Sequence, residues 1–141
     1  MDITAIAQHI FYNDKYATET TGISIDSVDE NTTVCSLMLN DSHRNAKGNV
    51  MGGVIFTLAD FAFAIAANSS IIADKGKEAQ LQWVSSSATI HFLVPAKGNS
   101  LIATTTPIRQ GHSQSVYQTV ITDSENRKVA LITTLGSRIN I

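Results

Sequence analysis

The sequence predicts an α+β fold in which one curved antiparallel sheet wraps around a single long helix. Residues 54–67 are among the most apolar stretches of the chain, and their Ala, Phe and Leu content is typical of a helix buried nearly all round. Several strand-like segments follow after residue 82 without an intervening helix, which indicates antiparallel pairing. One face of such a sheet covers the helix, and the other is left to solvent or to another subunit.

The first part of the chain predicts a short helix and a hairpin. Asp2 is placed to cap a helix that ends at about Tyr12, because apolar residues recur at helical spacing between them. Two strands are expected over residues 20–28 and 32–39, with a turn of Asp, Glu and Asn over residues 29–31.

Polar segments separate the elements that follow. A polar loop over residues 40–49 leads into the long helix, which runs from about Met51 or Gly52 to about Ser70, and a second polar loop covers residues 73–80. The later strands are predicted as a meander of successive neighbours, punctuated by Gly, Pro and Asn. They cover residues 83–94, 100–109, 113–123 and 128–139.

Length and composition narrow the class of protein. The 141 residues are expected to form one domain, residues 1–141. Charged residues are 16% of the chain, against about 25% in ordinary proteins, which indicates that part of the surface is buried in an oligomer. The net charge is −2 and no basic run is longer than Arg127-Lys128, so nucleic-acid binding by a basic stripe is not expected.

Cysteine content and hydropathy indicate where the protein resides. The single cysteine, Cys35, cannot form a disulfide within the chain. The apolar run over residues 54–67 is too short for a membrane span, and the N-terminus lacks a basic region followed by an apolar core. We therefore expect a soluble, cytoplasmic protein without a membrane partner.

Asp60 lies in the middle of the apolar helix. A carboxylate among Phe, Ala and Leu is unfavourable unless it is paired, so Asp60 either has a structural partner or has a shifted ionisation that serves in chemistry. No Lys or Arg lies between Lys47 and Lys75, which excludes an ion pair within the helix. Thr57 lies on the same helix face, close enough to touch Asp60. A general base or nucleophile with a raised pKa suits this position.

Gly52 and Gly53 fall where the long helix is expected to begin. Amides at a helix start have no partner within the helix, glycine lets a ligand approach the backbone, and the helix dipole adds positive charge. This suits a carbonyl oxygen that becomes an oxyanion, although a Gly pair also serves as a simple turn into a helix. Asn45, in the preceding loop, could orient water or a carbonyl group, or could form a turn.

Other kinds of site have little support in the sequence. His43, His91 and His112 are scattered, and no metal-ligand spacing such as H-x-x-x-H or C-x-x-C occurs, so no metal site is predicted. Ser85 opens a run of serines at a strand start, where a hydroxyl could hold water or could be purely structural.

Residues 45–60 read NAKGNVMGGVIFTLAD and combine an Asn, a short loop, a Gly pair and Leu-Ala-Asp in the helix. This pattern resembles the signature of the hot-dog-fold thioesterases of the phenylacetate-pathway (PaaI-type) family, which has His-Gly-Gly before the helix. The likeness extends to Phe11-Tyr12-Asn13-Asp14 and to the strand segment at residues 88–98. The resemblance implies a hot-dog fold, a sheet wrapped around a central helix, in homodimers that usually pair into homotetramers.

The resemblance also implies an activity and a role for each candidate residue. The expected reaction is hydrolysis of a small aromatic or medium-chain acyl-CoA at a site between two subunits, with no cofactor apart from the coenzyme A of the substrate. The Gly52 N–H, with that of Gly53, would polarise the thioester carbonyl, and the partner subunit's Asp60 would act as general base or nucleophile. Asn45 would position the water, and Ser85 would help to hold it.

The chain departs from the family pattern at two positions. Met51 stands where the family has His, so the substrate-binding site loses a hydrogen-bonding group, and Val94 replaces a basic residue. Lys97, Arg109 or His112 would then contact the phosphates of coenzyme A. The change at Met51 leaves an alternative open, a non-catalytic acyl-CoA-binding protein of the same fold. A dehydratase or hydratase ranks last, because the helix carries no His.

Overall fold

A computed structural model of the protein describes residues 2–139. Within that range the helices and strands follow the predicted order, with one further helix. The elements are α1 (Ile3–Phe11), β1 (Ile23–Val28), β2 (Thr33–Met38), α2 (Gly52–Ala67), α3 (Ser69–Lys75), β3 (Trp83–Phe92), β4 (Ser100–Gln110), β5 (Gln114–Asp123) and β6 (Lys128–Arg138).

The strands form one antiparallel sheet in the order β1-β2-β4-β5-β6-β3. The predicted meander is confirmed for β4, β5 and β6, which are joined by tight turns. It is wrong for β3, which pairs with β6 at the far edge, while β4 takes the place beside β2. The reason is the longer connection at residues 93–99, which carries the chain across the end of the sheet from one side to the other.

Helix α2 is the core helix, as its composition predicts. Its side chains are buried on more than one side: the Phe63 ring meets Tyr117 of β5 edge-on, whereas the Phe61 ring lies against Phe11 of α1. The stretch Gly52–Glu78 is long and apolar enough to cross a membrane by length and composition alone, but 67% of its most apolar window is buried inside the fold. A helix that is apolar all round and enclosed by a sheet is a core helix, so no membrane is needed to explain it.

The long helix ends earlier than predicted, at Ala67, because Asn68 redirects the chain. The Asn68 Oδ1 accepts hydrogen bonds from the backbone N–H groups of Gln82 (3.0 Å) and Trp83 (3.1 Å), and its Nδ2 donates to the Ala64 carbonyl (2.8 Å). This buried amide ties the helix end to the start of β3. The chain then continues as α3, which places Ile72 in the core, so the polar loop predicted from residue 73 is wrong for residues 73–78.

The first strand begins at Ile23, three residues later than expected from the sequence pattern. Tyr16–Thr21 instead form a π-helical turn that ends at Gly22. The backbone φ of Gly22 is 92°, a left-handed conformation that favours glycine over any side chain with a Cβ. Helix α1 packs beside this turn, with the Phe11 ring meeting the Phe61 ring edge-on at 6.0 Å between centroids.

Strand β3 forms an exposed edge of the sheet. Of its residues, Trp83 and Ile90 are half-buried and the rest are exposed. A long edge strand presents unpaired backbone groups to one side and is a ready template for pairing with another chain.

Candidate active site

The start of α2 carries two backbone amides that have no partner. Met51 caps the helix with an extended backbone (φ −62°, ψ 138°), and its carbonyl accepts from the N–H groups of Val54 (3.0 Å) and Ile55 (3.2 Å). The N–H groups of Gly52 and Gly53 precede these donors, and among residues 2–139 neither has an acceptor. Free amides at the positive end of a helix dipole attract an oxygen that carries negative charge.

The loop before α2 is fixed by a buried histidine, His43. Its Nδ1 accepts from the Asn40 N–H (3.0 Å), which leaves Nε2 to donate to the Thr21 carbonyl (2.8 Å). The His43 carbonyl in turn accepts from the Met51 N–H (2.9 Å). The imidazole therefore links the loop, the π-helical turn and the residue that caps α2, and it is a structural group rather than a catalytic one.

Asn45 closes its own loop. Its Oδ1 accepts from the N–H groups of Lys47 (2.9 Å) and Asn49 (3.1 Å), while its backbone N–H donates to the Asn49 carbonyl (2.7 Å). This is the turn-forming role of an Asn side chain. The Nδ2 group donates to no acceptor among the described residues, and it is the part of Asn45 that is free for a ligand.

The Gly52 backbone opens onto a cleft of about 380 Å³. Its polar side is formed by the Asn45–Asn49 loop and its apolar side by the end of β3 and the chain beyond it. The lining residues are Asn45, Asn49, Val50, Gly52, Ile55, Phe92, Leu93, Val94, Pro95 and Ala96. The cleft thus places the free amide of Gly52 beside an apolar wall, an arrangement suited to an acyl thioester.

The two glycines meet different surroundings. A Cβ on Gly52 would lie 3.0 Å from the Phe92 ring, whereas a Cβ on Gly53 would have no atom within 4 Å. Gly52 is therefore packed beneath an aromatic ring, and Gly53 lies in the open. Met51 is 44% exposed and does not line the cleft.

Asp60 lies in a second cleft, of about 330 Å³, whose lining includes Asp14, Tyr16, Thr57 and Ala64. Burial raises the pKa of the Asp60 carboxyl above its usual range, and interaction with the Ser85 hydroxyl opposes part of the rise. Within residues 2–139 Asp60 forms no ion pair, and Lys15, the cation that lines the same cleft, pairs instead with Glu19 at 3.2 Å.

The residues around Asp60 differ from those that the sequence predicted in two respects. Thr57, predicted to touch it, instead donates its hydroxyl to the Gly53 carbonyl (2.8 Å). Asp14 was not predicted as a site residue, yet it lines the same cleft, and its pKa is raised by burial and then by the charge of Asp60. The contact of Phe11 with Phe61 holds this turn against α2. The likeness at Phe11-Tyr12-Asn13-Asp14 includes Asp14 but assigned it no role.

Ser85 reaches the site from the edge strand. It pairs with Gly136 of β6 just before a β-bulge at Ser86, on the face of the sheet that covers α2. Asp60 thus belongs to a cleft built from α2 and the turn after α1, with Ser85 of β3 interacting with its carboxyl, whereas Gly52 belongs to a different cleft. The two residues are eight positions apart on one helix, which corresponds to about 12 Å along its axis.

Among residues 2–139, no cluster of three or more His, Cys, Asp or Glu side chains has the geometry to hold a metal ion. The groups that the predicted site offers for chemistry are the two amides, the acid with a raised pKa, and the polar groups of Asn45 and Ser85.

Comparison with known proteins places the chain in a family. The family model described as the thioesterase superfamily matches residues 47–130. The chain is 33% identical to the acyl-coenzyme A thioesterase PaaI of Escherichia coli over 132 residues, which are 93% of this chain and 88% of that protein.

Comparison with solved structures supports the same family. The structure of the Escherichia coli PaaI protein from the phenylacetic acid degradation operon superimposes with a TM-score of 0.83 at 31% identity, covering 99% of this chain and 97% of that one. A mutant of the phenylacetic acid degradation protein PaaI of Thermus thermophilus has a TM-score of 0.75 at 21% identity, covering 86% and 96%. The chain therefore belongs to the thioesterase superfamily and has its hot-dog fold.

Proposed function

We propose that this protein hydrolyses acyl-CoA thioesters to a free acid and coenzyme A. The observation that carries the proposal is the pair of free amides at Gly52 and Gly53, of which Gly52 lines a cleft with an apolar wall. The likeness to the acyl-coenzyme A thioesterase PaaI supports coenzyme A as the thiol of the substrate. The acyl group is small and aromatic or of medium length, and Phe92, Leu93 and Val94 provide apolar surface for it.

The chemistry follows from the two halves of the site. The thioester carbonyl oxygen accepts hydrogen bonds from the Gly52 N–H and, as a second donor, the Gly53 N–H, which stabilise the negative charge that forms there. The partner subunit's Asp60 takes a proton from water as the water oxygen bonds to the carbonyl carbon. The C–S bond then breaks, and the proton passes from the acid to the leaving thiolate.

Asp60 could instead attack the carbonyl carbon directly. That route forms a mixed anhydride and expels the thiolate, and water then hydrolyses the anhydride to regenerate the carboxylate. In both routes Asn45 orients the water or the reacting group through its Nδ2, and Ser85 helps to hold the water beside Asp60. No metal or organic cofactor takes part.

A dimer completes the site. Within one chain the acid and the amides are about 12 Å apart along α2, too far to act on one carbonyl group. The exposed β3 edge offers a surface on which two copies pair, and antiparallel pairing there brings the α2 helices side by side in opposite directions. Each Gly52 then faces the partner subunit's Asp60.

The outer face of the sheet supports further assembly into a homotetramer. The outward positions of β2, β4, β5 and β6 are uncharged except near two strand ends, at Arg109 and Lys128, in a chain where 16% of residues are charged. These positions include Val34, Ser36, Met38, Ile102, Thr104, Thr106, Val116, Gln118, Val120, Leu131, Thr133 and Leu135. A sheet face whose centre is uncharged suits contact with a second dimer. We place the enzyme in the cytoplasm, where acyl-CoA substrates are made and used.

Substitution of Asp60 tests the proposal. Asp60→Asn keeps the size and polarity of the side chain but removes its basicity, so we expect kcat to fall about a hundredfold or more on a panel of acyl-CoAs. Circular dichroism and gel filtration should match the unsubstituted protein. Near-normal turnover by the variant would remove Asp60 from the mechanism.

A second candidate function is favoured by Met51. If the group that replaces the family His is required for turnover, the protein binds acyl-CoA without cleaving it. The two functions separate in one assay, in which the protein is mixed with acyl-CoA and a thiol reagent. Release of free thiol above background identifies the enzyme, and saturable binding without release identifies the carrier.

A further inference from the structure

His43 is the only polar side chain that is buried within residues 40–51, and it is 3% exposed. Burial of an imidazole is unfavourable unless its ring nitrogens find partners, and here each nitrogen has one. The two bonds differ in reach. Nδ1 accepts from the Asn40 N–H, three residues away in the sequence, whereas Nε2 donates to the Thr21 carbonyl, 22 residues away. The second bond therefore ties this segment to a distant part of the fold.

The backbone of His43 lies at the base of the hairpin that carries Asn45. Arg44 and Val50 close this hairpin as an antiparallel bridge, and the Met51 N–H donates to the His43 carbonyl just outside the bridge, at 2.9 Å. The free amides at the start of α2 follow directly after Met51. A shift of His43 therefore moves both the hairpin and the start of the helix.

The Thr21 carbonyl belongs to the side of the fold that holds the acid. Thr21 is buried and ends the π-helical turn Tyr16–Thr21, and two residues of that turn line the Asp60 cleft. In the part of the chain that the structure describes, no other hydrogen bond joins this turn to residues 40–51. One imidazole therefore connects the loop beside the amide cleft to a wall of the acid cleft.

The hairpin holds its own shape without help from the rest of the fold. The hydrogen bonds of Arg44 and Asn45 all stay within residues 41–49. All of the hairpin's side chains except Val50 are exposed or half-buried, so they contribute little apolar contact. Internal bonds fix the shape of the hairpin but not its place on the protein. Its place depends largely on the packing of Val50 and on the anchored imidazole of His43.

We propose that His43 is a positioning residue for thioester hydrolysis, and that its Nε2 bond to Thr21 holds Asn45 and the Gly52 amide where they act on the substrate. This inference rests on the proposed thioesterase function and adds to it a residue that lies behind the reacting groups. Amide donors stabilise an oxyanion only from a fixed place, and a displacement of about 1 Å lowers a rate by about a hundredfold.

Two conservative variants separate the two bonds of the imidazole. In His43→Gln the side-chain amide lies one carbon further from the backbone, at the level of Nε2, so it keeps a donor for Thr21. In His43→Asn the amide lies at the level of Nδ1, so it keeps an acceptor for Asn40 and loses the bond to Thr21. We expect kcat on acyl-CoA to fall about thirtyfold in His43→Asn with KM little changed, and His43→Gln to keep most of the turnover.

The matched control is Ile72→Val, which trims a fully buried side chain in α3. This position lies beyond the far end of α2, whose 16 residues span about 24 Å. Ile72→Val should lower the Tm and leave kcat unchanged. If His43→Asn also lowers only the Tm, or if His43→Gln loses as much kcat as His43→Asn, the positioning role is overturned and the thioesterase function stands.

Hydrogen–deuterium exchange tests the anchor independently of turnover. Peptides that cover residues 40–53 should exchange faster in His43→Asn than in the unsubstituted protein, with His43→Gln close to the unsubstituted protein and peptides from β5 unchanged. Equal exchange of residues 40–53 in all three proteins would overturn the anchoring bond. Absence of thiol release by the unsubstituted protein on every acyl-CoA would instead refute the thioesterase function, and with it any role of His43 in turnover.

Discussion

The ionisation of Asp60 is set by a small number of neighbours. Burial between α2 and the turn after α1 raises the pKa of its carboxyl, and the Ser85 hydroxyl is the group that lowers it. A base acts only when deprotonated, so the rate of the proposed reaction rises with pH through the pKa of Asp60. Burial thus moves that rise to higher pH, and Ser85 moves it part of the way back.

Removing the hydroxyl should move the pH profile. In Ser85→Ala the interaction that lowers the pKa is lost, the pKa of Asp60 rises further, and the acidic limb of kcat/KM shifts to higher pH. The measurement is a pH–rate profile from pH 4 upward, with Thr89→Ala, on the outer face of the same strand, as control. An acidic limb that stays in place, or moves to lower pH, would contradict the assigned role.

The residues of the site differ in how readily they can be identified from the sequence alone. Asp60 and the Gly pair could be singled out because an acid in an apolar run and two glycines at a helix start are local features. Asp14 could not be singled out in this way. Its proximity to Asp60 depends on the packing of Phe11 against Phe61, and these two residues are far apart in the sequence. The sequence left two roles open for Asn45, orienting water or a carbonyl group and forming a turn. The structure contains the turn-forming hydrogen bonds.

Among the elements, the turn between β5 and β6 has a dependence on pH that can be measured. Hydrogen bonds from the backbone of Lys97, then of Arg127 and Glu125, and from the Arg127 side chain, lower the pKa of Asp123 from 3.8 to about 2. A carboxyl whose pKa is lower in the folded state stabilises the fold above its unfolded pKa, and the contribution is lost as pH falls through the folded value.

We therefore expect part of the acid destabilisation of this protein to come from Asp123. Urea titrations between pH about 4.5 and about 2 should show a falling free energy of unfolding. Asp123→Asn should be less stable at neutral pH and should show a smaller decline over the same range. Asp74→Asn, at an exposed acid on α3, provides the comparison, and an identical decline in both variants would exclude Asp123 as a source.

The elements themselves were largely predictable, and their partners were not. The composition of residues 54–67 and the alternation in β4, β5 and β6 are local patterns, so the core helix and the three-stranded meander could be read from them. The position of β3 depends on which edge is free once β4 pairs with β2, and no pattern within β3 records that. Asn68 ended α2 early through bonds to Gln82 and Trp83, which are also distant in sequence.

At the scale of the whole molecule, the proposed mechanism requires two chains, because Gly52 and Asp60 are separated along one helix. Subunit complementation measures this directly. Gly52→Pro removes the amide donor at a helix position that tolerates Pro, after a Met51 backbone that already has the extended conformation preferred before Pro, although the exposed Phe92 ring must shift. Asp60→Asn removes the acid, and each variant alone should be nearly inactive.

Co-expressed in equal amounts, the two variants should recover about a quarter of normal activity. Half of randomly formed dimers are mixed, and each mixed dimer has one site with both defects and one site with neither. Separately purified variants mixed without subunit exchange provide the baseline. Co-expressed protein that is no more active than this baseline would mean that acid and amide are drawn from the same chain.

Phe92 belongs to two surfaces at once. It ends the strand that forms the open edge of the sheet, and its ring lies over Gly52, at 3.0 Å from where a side chain would begin. A neighbour that docks along β3 therefore also presses on the backbone that would hold the substrate oxygen. Association and the shape of the reaction centre are mechanically linked through one aromatic ring, so the strength of assembly and the rate of turnover should change together when that ring is altered.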